Sequence, residues 1–191
     1  TASLTTALGL VLGPMAFAKF FAPLSLLLLG LCAWGCFRQW RLSAPACLLG
    51  ALAAVLNSGW FSGSCWGVGS QMLATGMGFL ALAALAGVVP GEAAVEPVAR
   101  GAWQRWARVV LAGLALGMAV LEGADIGGLM SVVVAAFALW QGWTGPGTLG
   151  RKLATGTARV ALMAVVALLL ASQGVFSLVQ TNVTHVAGMQ Q

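Results

Sequence analysis

The sequence predicts an all-α integral membrane protein with about six transmembrane helices, forming a single domain over residues 1–191. Of these residues, 60% are hydrophobic and only 7% are charged, whereas a soluble domain carries roughly 25% charged residues. The segment 42–91 has no charged residue at all, and roughly 20 helical residues cross a bilayer core about 30 Å thick. Basic residues collect in short stretches between the apolar segments, as expected for cytoplasmic loops.

The first span is predicted over residues 20–37, immediately after Lys19. Its Pro23 falls in the first turns of the helix, where proline is tolerated. The segment before Lys19 is apolar but is interrupted at Gly13, so it is either a loop or the end of a further span. Because the chain begins at Thr1 with no basic region of a signal peptide, we expect a processed chain or a part of a longer protein.

The second and third spans are predicted over residues 44–56 and 71–89. The second is short for a full crossing unless it continues into residues 57–61. The stretch 59–69 is too apolar and aromatic for a well-solvated loop. We therefore expect it to be re-entrant or to lie at the membrane interface, where protein must satisfy its backbone polar groups.

The last three spans are predicted over residues 109–121, 126–143 and 160–179, with a polar tail over 180–191. The Thr-Gly-Pro-Gly sequence at 144–147 is a clear turn signal between the last two spans. Glycines also recur at four-residue spacing, for example at Gly113 and Gly117, and this spacing favours close packing of helices in lipid.

The distribution of basic residues predicts the orientation. If six spans alternate in direction, three groups of basic residues lie on the same side of the membrane. These groups are Arg38 and Arg41, then Arg100, Arg105 and Arg108, then Arg151, Lys152 and Arg159. We therefore expect these loops in the cytoplasm and the N-terminus outside, in a bacterial cytoplasmic membrane with lipid as the immediate partner. Membrane topology accounts for the net charge of +5, so nucleic acid is not an expected partner.

Glu122 and Asp125 are the candidate catalytic residues. They lie three residues apart, which would place them on one face of a helix. Counted from Arg108, Glu122 lies about 21 Å along a helix, less than a crossing of about 30 Å, so the pair is expected below the outer surface. An acid at such depth is a functional-site hypothesis, as a general base or a divalent-cation ligand. The alternative is a solvated turn, which Gly127 and Gly128 favour.

Asn57, Trp60 and Trp66 are candidate substrate-binding residues on the same predicted face. The alternative for both tryptophans is a role as interfacial anchors. The four cysteines show no zinc or haem spacing, so we interpret them as small packing residues. His185 stands alone in the predicted tail. The sequence therefore assigns no metal or cofactor.

Two stretches resemble large YfhO-type bacterial membrane proteins. They are residues 122–127 (Glu-Gly-Ala-Asp-Ile-Gly) with 134–137 (Val-Ala-Ala-Phe), and residues 181–184 (Thr-Asn-Val-Thr) with 186–188 (Val-Ala-Gly). Members of that family are much longer, and they are similar to membrane glycosyltransferases that use lipid-phosphate sugar donors. The resemblance implies sugar transfer in cell-envelope biogenesis, on the outer face. Those enzymes carry a catalytic acid in an early extracytoplasmic loop, and this sequence has no such acidic loop.

Two further hypotheses come from different functional classes. One is a non-catalytic transmembrane subunit of a larger membrane complex, which the glycine-rich, nearly charge-free helices fit equally well. The other is a small transporter in which Glu122 couples proton movement to transport, a use that acids within membrane spans have in pumps and transporters.

Overall fold

The fold is that of an all-α polytopic membrane protein, as predicted. The computed structural model describes residues 3–86, 102–145 and 148–188, and these ranges contain helices but no strand. The helices are α1 (Leu4–Gln39), α2 (Ala44–Val55), α3 (Ser58–Cys65), α4 (Gly69–Ala86), α5 (Ala102–Glu122), α6 (Ala124–Thr144) and α7 (Leu149–Gly188).

The number of membrane crossings agrees with the predicted six. Among the described residues, five helices are long and apolar enough to cross a membrane. A sixth crossing results if α2 and α3, which meet at 51°, form one broken span. α2 ends at Val55, and the chain continues after the bend as the separate short helix α3, which forms either the rest of a broken span or a re-entrant segment.

Several helices extend beyond the predicted apolar spans. α5 begins at Ala102 instead of residue 109, and α7 covers Leu149–Gly188 instead of 160–179. The prediction of a tail separate from the last helix is therefore wrong up to Gly188. Apolar composition marks only the part of a helix that lipid surrounds. Arginine, lysine and glutamine also favour helix, so a helix can extend beyond its apolar part into a segment that contains these residues. Residues 87–101, which include the predicted loop with Glu92, Glu96 and Arg100, and residues 189–191 lie outside the described ranges.

The segment before Lys19 is helical, and a sharp break at Gly13 divides α1 into two parts. Gly13 has φ 72° and ψ 163°, a combination that essentially only glycine adopts. Pro14 follows as the first residue of the long part, a position for which its fixed φ is suited. A Cβ atom on Gly9 would lie 3.8 Å from the Phe17 ring, so the first part folds back towards the long part.

α1, α4 and α6 run in the same direction. Gly69 and Gly76 of α4 face Phe21 and Cys32 of α1, which requires α1 and α4 to be parallel. The parallel pairing of α4 with α6 is shown by two contacts: Gly78 faces Met130, and Gln141 donates to the Leu85 carbonyl at 3.2 Å.

α5 and α7 run in the opposite direction and pack closely through glycines. A Cβ atom on Gly113 would lie 2.9 Å from the Met163 carbonyl oxygen, and one on Gly117 would lie 3.0 Å from that of Ala167. This confirms the close packing predicted from the glycine spacing. The core that α4–α7 share is formed by small and branched apolar residues: Ala81, Leu85, Val109, Ala112, Leu116, Val134, Ala138 and Met163.

The helix directions bring the described members of all three basic groups to one end of the bundle. We call this the basic end; it comprises the C-terminal end of α1, the N-terminal ends of α5 and α7, and the basic residues Arg38, Arg41, Arg105, Arg108, Arg151, Lys152 and Arg159. Tryptophans lie near the helix ends: six near the basic end (Trp34, Trp40, Trp103, Trp106, Trp140 and Trp143) and two in or just after α3 (Trp60 and Trp66). Such aromatic belts mark both membrane interfaces.

Candidate functional site

Glu122 is the last residue of α5, and its side chain is only 8% exposed. Its Oε1 atom accepts a hydrogen bond from the backbone N–H of Thr5 at 2.9 Å. Its Oε2 atom accepts a second hydrogen bond from the Thr5 hydroxyl. Each carboxylate oxygen therefore has a donor, and both donors belong to Thr5, a residue 117 positions earlier in the chain.

Thr5 lies in the first turn of α1, where backbone N–H groups have no partner within the helix. The Ser3 side chain accepts from the Thr6 N–H at 3.2 Å, and Glu122 accepts from Thr5. The carboxylate also lies at the positive end of the α1 helix dipole, which favours an anion. Glu122 thus caps α1 from α5 and fastens the first part of α1 onto the bundle.

Asp125 lies in the first turn of α6 and is exposed. Of the two alternatives, a shared helix and a solvated turn, the shared helix is excluded, because α5 ends at Glu122 and Gly123 separates it from α6 with φ −160° and ψ 104°. The chain turns here, but only Asp125 is exposed, and Glu122 is buried. The two acids instead lie on either side of a tight connection between antiparallel helices. Asp125 is at the N-terminus of its helix, where a negative charge is stabilised, and Glu122 is buried beneath the first part of α1.

Asn57, Trp60 and Trp66 belong to α3 or to its two ends. The Asn57 side chain is the N-cap of α3 and accepts from the Gly59 N–H at 3.0 Å. Trp60 is half-buried, whereas Trp66 is 84% exposed. An exposed tryptophan at a helix end fits an interfacial anchor. The cap gives Asn57 a structural role that the sequence analysis did not assign.

The five candidate residues share one end of the bundle but belong to different helices. α3 packs against α1 and α4, whereas Glu122 and Asp125 lie at the connection between α5 and α6. That connection also meets α4, because a Cβ atom on Gly123 would lie 3.7 Å from the Ala74 Cβ atom. The end of the bundle opposite the basic end thus carries all of the predicted candidates.

Thr5, the residue that gives Glu122 its partner, is not among the candidates that the sequence pattern predicts. A local signal was present, because Ser3 followed by Thr5 and Thr6 before an apolar stretch is typical of a helix start. That signal would have predicted the first turn of α1. It would not have indicated which side chain caps the Thr5 N–H, because the two residues are 117 positions apart.

The described residues contain no group of three or more histidine, cysteine, aspartate and glutamate side chains that could hold a metal ion. All four cysteines are free; Cys36 and Cys47 are buried, as expected for packing residues, and Cys65 is exposed. The His185 side chain is outside the part of the structure that is described. Comparisons with protein-family models, with curated protein sequences and with solved structures find no match for this chain.

Proposed function

We propose that this protein is a non-catalytic transmembrane subunit that serves as a helical scaffold in a membrane complex. The observation that supports this is the bonding of Glu122. The transporter hypothesis, and any transferase in which Glu122 is the catalytic acid, require that carboxylate to face substrate or water. It is instead buried, and both of its oxygens accept from Thr5. The acid stabilises a contact between two helices, which is what a scaffold needs.

The proposed setting is a bacterial cytoplasmic membrane, with the basic end towards the cytoplasm. Short cytoplasmic loops are enriched in lysine and arginine, and the described basic residues of all three groups lie at one end of the bundle. Lys19 lies towards the other end, close to the start of α4.

The experiment is purification of the full chain from its host membrane directly into nanodiscs, followed by cross-linking and native mass spectrometry. A scaffold subunit is expected to retain a partner of fixed stoichiometry. Reconstituted alone, it should show no transport and no group transfer. A monomeric chain that performs either reaction by itself would overturn the proposal, above all if Glu122→Gln abolished the reaction while leaving the helix content unchanged.

A second candidate function is sugar transfer from a lipid-phosphate carrier, as the YfhO resemblance implies. One observation favours it: Asp125 is exposed at the same end of the bundle as Trp60 and Trp66, so one acid remains accessible. Under this hypothesis, Asp125→Asn abolishes glycan modification in cells that depend on the protein. The matched control is Ser131→Ala, further along α6. Unchanged glycans in the Asp125→Asn strain would exclude Asp125 as the catalytic acid.

A further inference from the structure

An apolar groove runs between α1 and α2 on the outside of the bundle, with a volume of about 450 Å³. This is within the range of pockets that bind small ligands, roughly 300–1,000 Å³. Its walls are long apolar side chains, namely Leu27, Leu31 and Trp34 from α1 and Leu48, Leu52 and Val55 from α2. The chemistry of this lining fits a hydrocarbon chain.

Gly30 lies between the two walls of the groove. A Cβ atom at this position would lie 2.9 Å from a methyl group of Val55. The groove is open to the surroundings, since Leu31 is 55% exposed and Leu48 is 56% exposed. In a membrane-embedded chain these surroundings are lipid, so an acyl chain can enter sideways from the bilayer.

A cationic side chain stands at one end of the groove. Arg38 lies one helical turn beyond Trp34, and its guanidinium carbon Cζ is 5.7 Å from the centre of the Trp34 ring. Arg38 is exposed and belongs to the basic end. Trp34 therefore has two contacts: it lines the apolar groove, and its ring lies against the Arg38 guanidinium group.

We propose that this groove binds an anionic phospholipid, with one acyl chain between α1 and α2 and the phosphate at Arg38. The distribution of charge supports this occupant, because the lining is apolar along its length and becomes cationic at the end where the interfacial tryptophans lie. Basic pockets between transmembrane helices bind anionic lipid headgroups in this way. The proposal is independent of the scaffold role, since it concerns a different pair of helices and a different end of the bundle.

The test is native mass spectrometry of the purified full chain in detergent, titrated separately with phosphatidylglycerol and with phosphatidylcholine. One phosphatidylglycerol is expected to bind more tightly than any further lipid and more tightly than phosphatidylcholine. Arg38→Gln should weaken its binding about fivefold, since a basic residue at the lipid surface contributes about 1 kcal/mol. Arg151→Gln, which removes another exposed charge of the basic end, should leave binding unchanged.

The acyl-chain site is tested by filling the groove. Leu52→Trp and Leu48→Trp should each abolish binding of the first phosphatidylglycerol. Leu169→Trp, at a site on α7 that is 72% exposed, should retain it. Circular dichroism of each variant checks that the helices persist. Equal binding by Arg38→Gln and Arg151→Gln, or by the groove and α7 variants, would overturn the proposal. So would a dimer of the wild-type chain that the groove variants dissociate, because a second copy would then occupy the groove.

Discussion

The Glu122 carboxylate accepts hydrogen bonds from both the backbone N–H and the hydroxyl of Thr5. This contact joins the end of α5 to the first turn of α1, across almost two thirds of the sequence. Because Glu122 is buried and Thr5 is only partly exposed, the two hydrogen bonds are partly shielded from water, and breaking them leaves the Glu122 carboxylate without its partners. The contact therefore has a measurable consequence for stability.

Glu122→Ala is expected to lower the free energy of unfolding by about 1.5–3 kcal/mol, the contribution typical of hydrogen bonds to a charged group. Thr5→Val removes only the hydroxyl donor and should cost about 1 kcal/mol. Since the two residues contact each other, the double variant should lose less free energy of unfolding than the sum of the losses in the two single variants. The measurement is unfolding by SDS in mixed micelles, followed by circular dichroism.

The matched control for this double-mutant cycle of Thr5 and Glu122 is Asp125→Ala. Asp125 is close in sequence but exposed, so its replacement should change stability by no more than about 0.5 kcal/mol. A stabilising contact between Thr5 and Glu122 would be contradicted if the losses in free energy of unfolding from the two single variants were additive. It would also be contradicted if Asp125→Ala lowered the free energy of unfolding as much as Glu122→Ala.

Gly13→Ala is expected to destabilise the first part of α1. The backbone at Gly13 has φ 72° and ψ 163°, and placing a side chain there costs about 1–3 kcal/mol. The control is Gly35→Ala, because Gly35 lies inside the same helix and a Cβ atom there would meet nothing within 4 Å. Alanine at Gly35 should be neutral or stabilise by about 0.5–1 kcal/mol. Equal stabilities of the two variants would show that the break at Gly13 is not required.

Gly127 and Gly128 form a matched pair for the contact between α5 and α6. A Cβ atom on Gly127 would lie 2.5 Å from the backbone of Ala119 and Val120, whereas one on Gly128 would meet nothing within 4 Å. Gly127→Ala must push the two helices apart and should cost about 1–3 kcal/mol, the usual effect of overpacking.

Gly128→Ala should leave the unfolding midpoint equal to that of the wild-type chain or raise it slightly, as expected for Gly35→Ala. Thermal unfolding in detergent, monitored by circular dichroism, distinguishes the two variants. If the Gly127→Ala and Gly128→Ala variants are equally stable, α5 and α6 do not approach each other at Gly127 as closely as the structure indicates.

The proposed orientation predicts which cysteine reacts from outside. Cys65 is exposed near the end opposite the basic end, so a membrane-impermeant maleimide should label it in intact cells. In a Cys65→Ser background, Arg151→Cys should react only after the membrane is made permeable, because basic segments face the cytoplasm. The reverse labelling pattern would invert the orientation.

The approximate positions of the spans follow from composition, because a lipid-surrounded helix must be apolar along its full crossing. The charge-free segment at 42–91 contains α4 and the bent pair α2 and α3, where the third and second spans were predicted. Helix ends were predicted less well, because α5 and α7 continue into segments that contain arginine, lysine and polar residues. Apolar composition indicates which part of a helix lies within the membrane. The helix itself continues until a residue that breaks it, such as Gly13 or Gly123.

The sequence by itself determined the class of the protein, the approximate positions of its apolar spans and the separation of its basic groups from Glu122 and Asp125. These properties depend on composition and on local order along the chain. The tertiary structure alone decided what Glu122 does and where Arg38 lies relative to a groove. Both depend on contacts between residues on different helices, and the energy of such a contact is set by which helix faces meet, which no local pattern encodes.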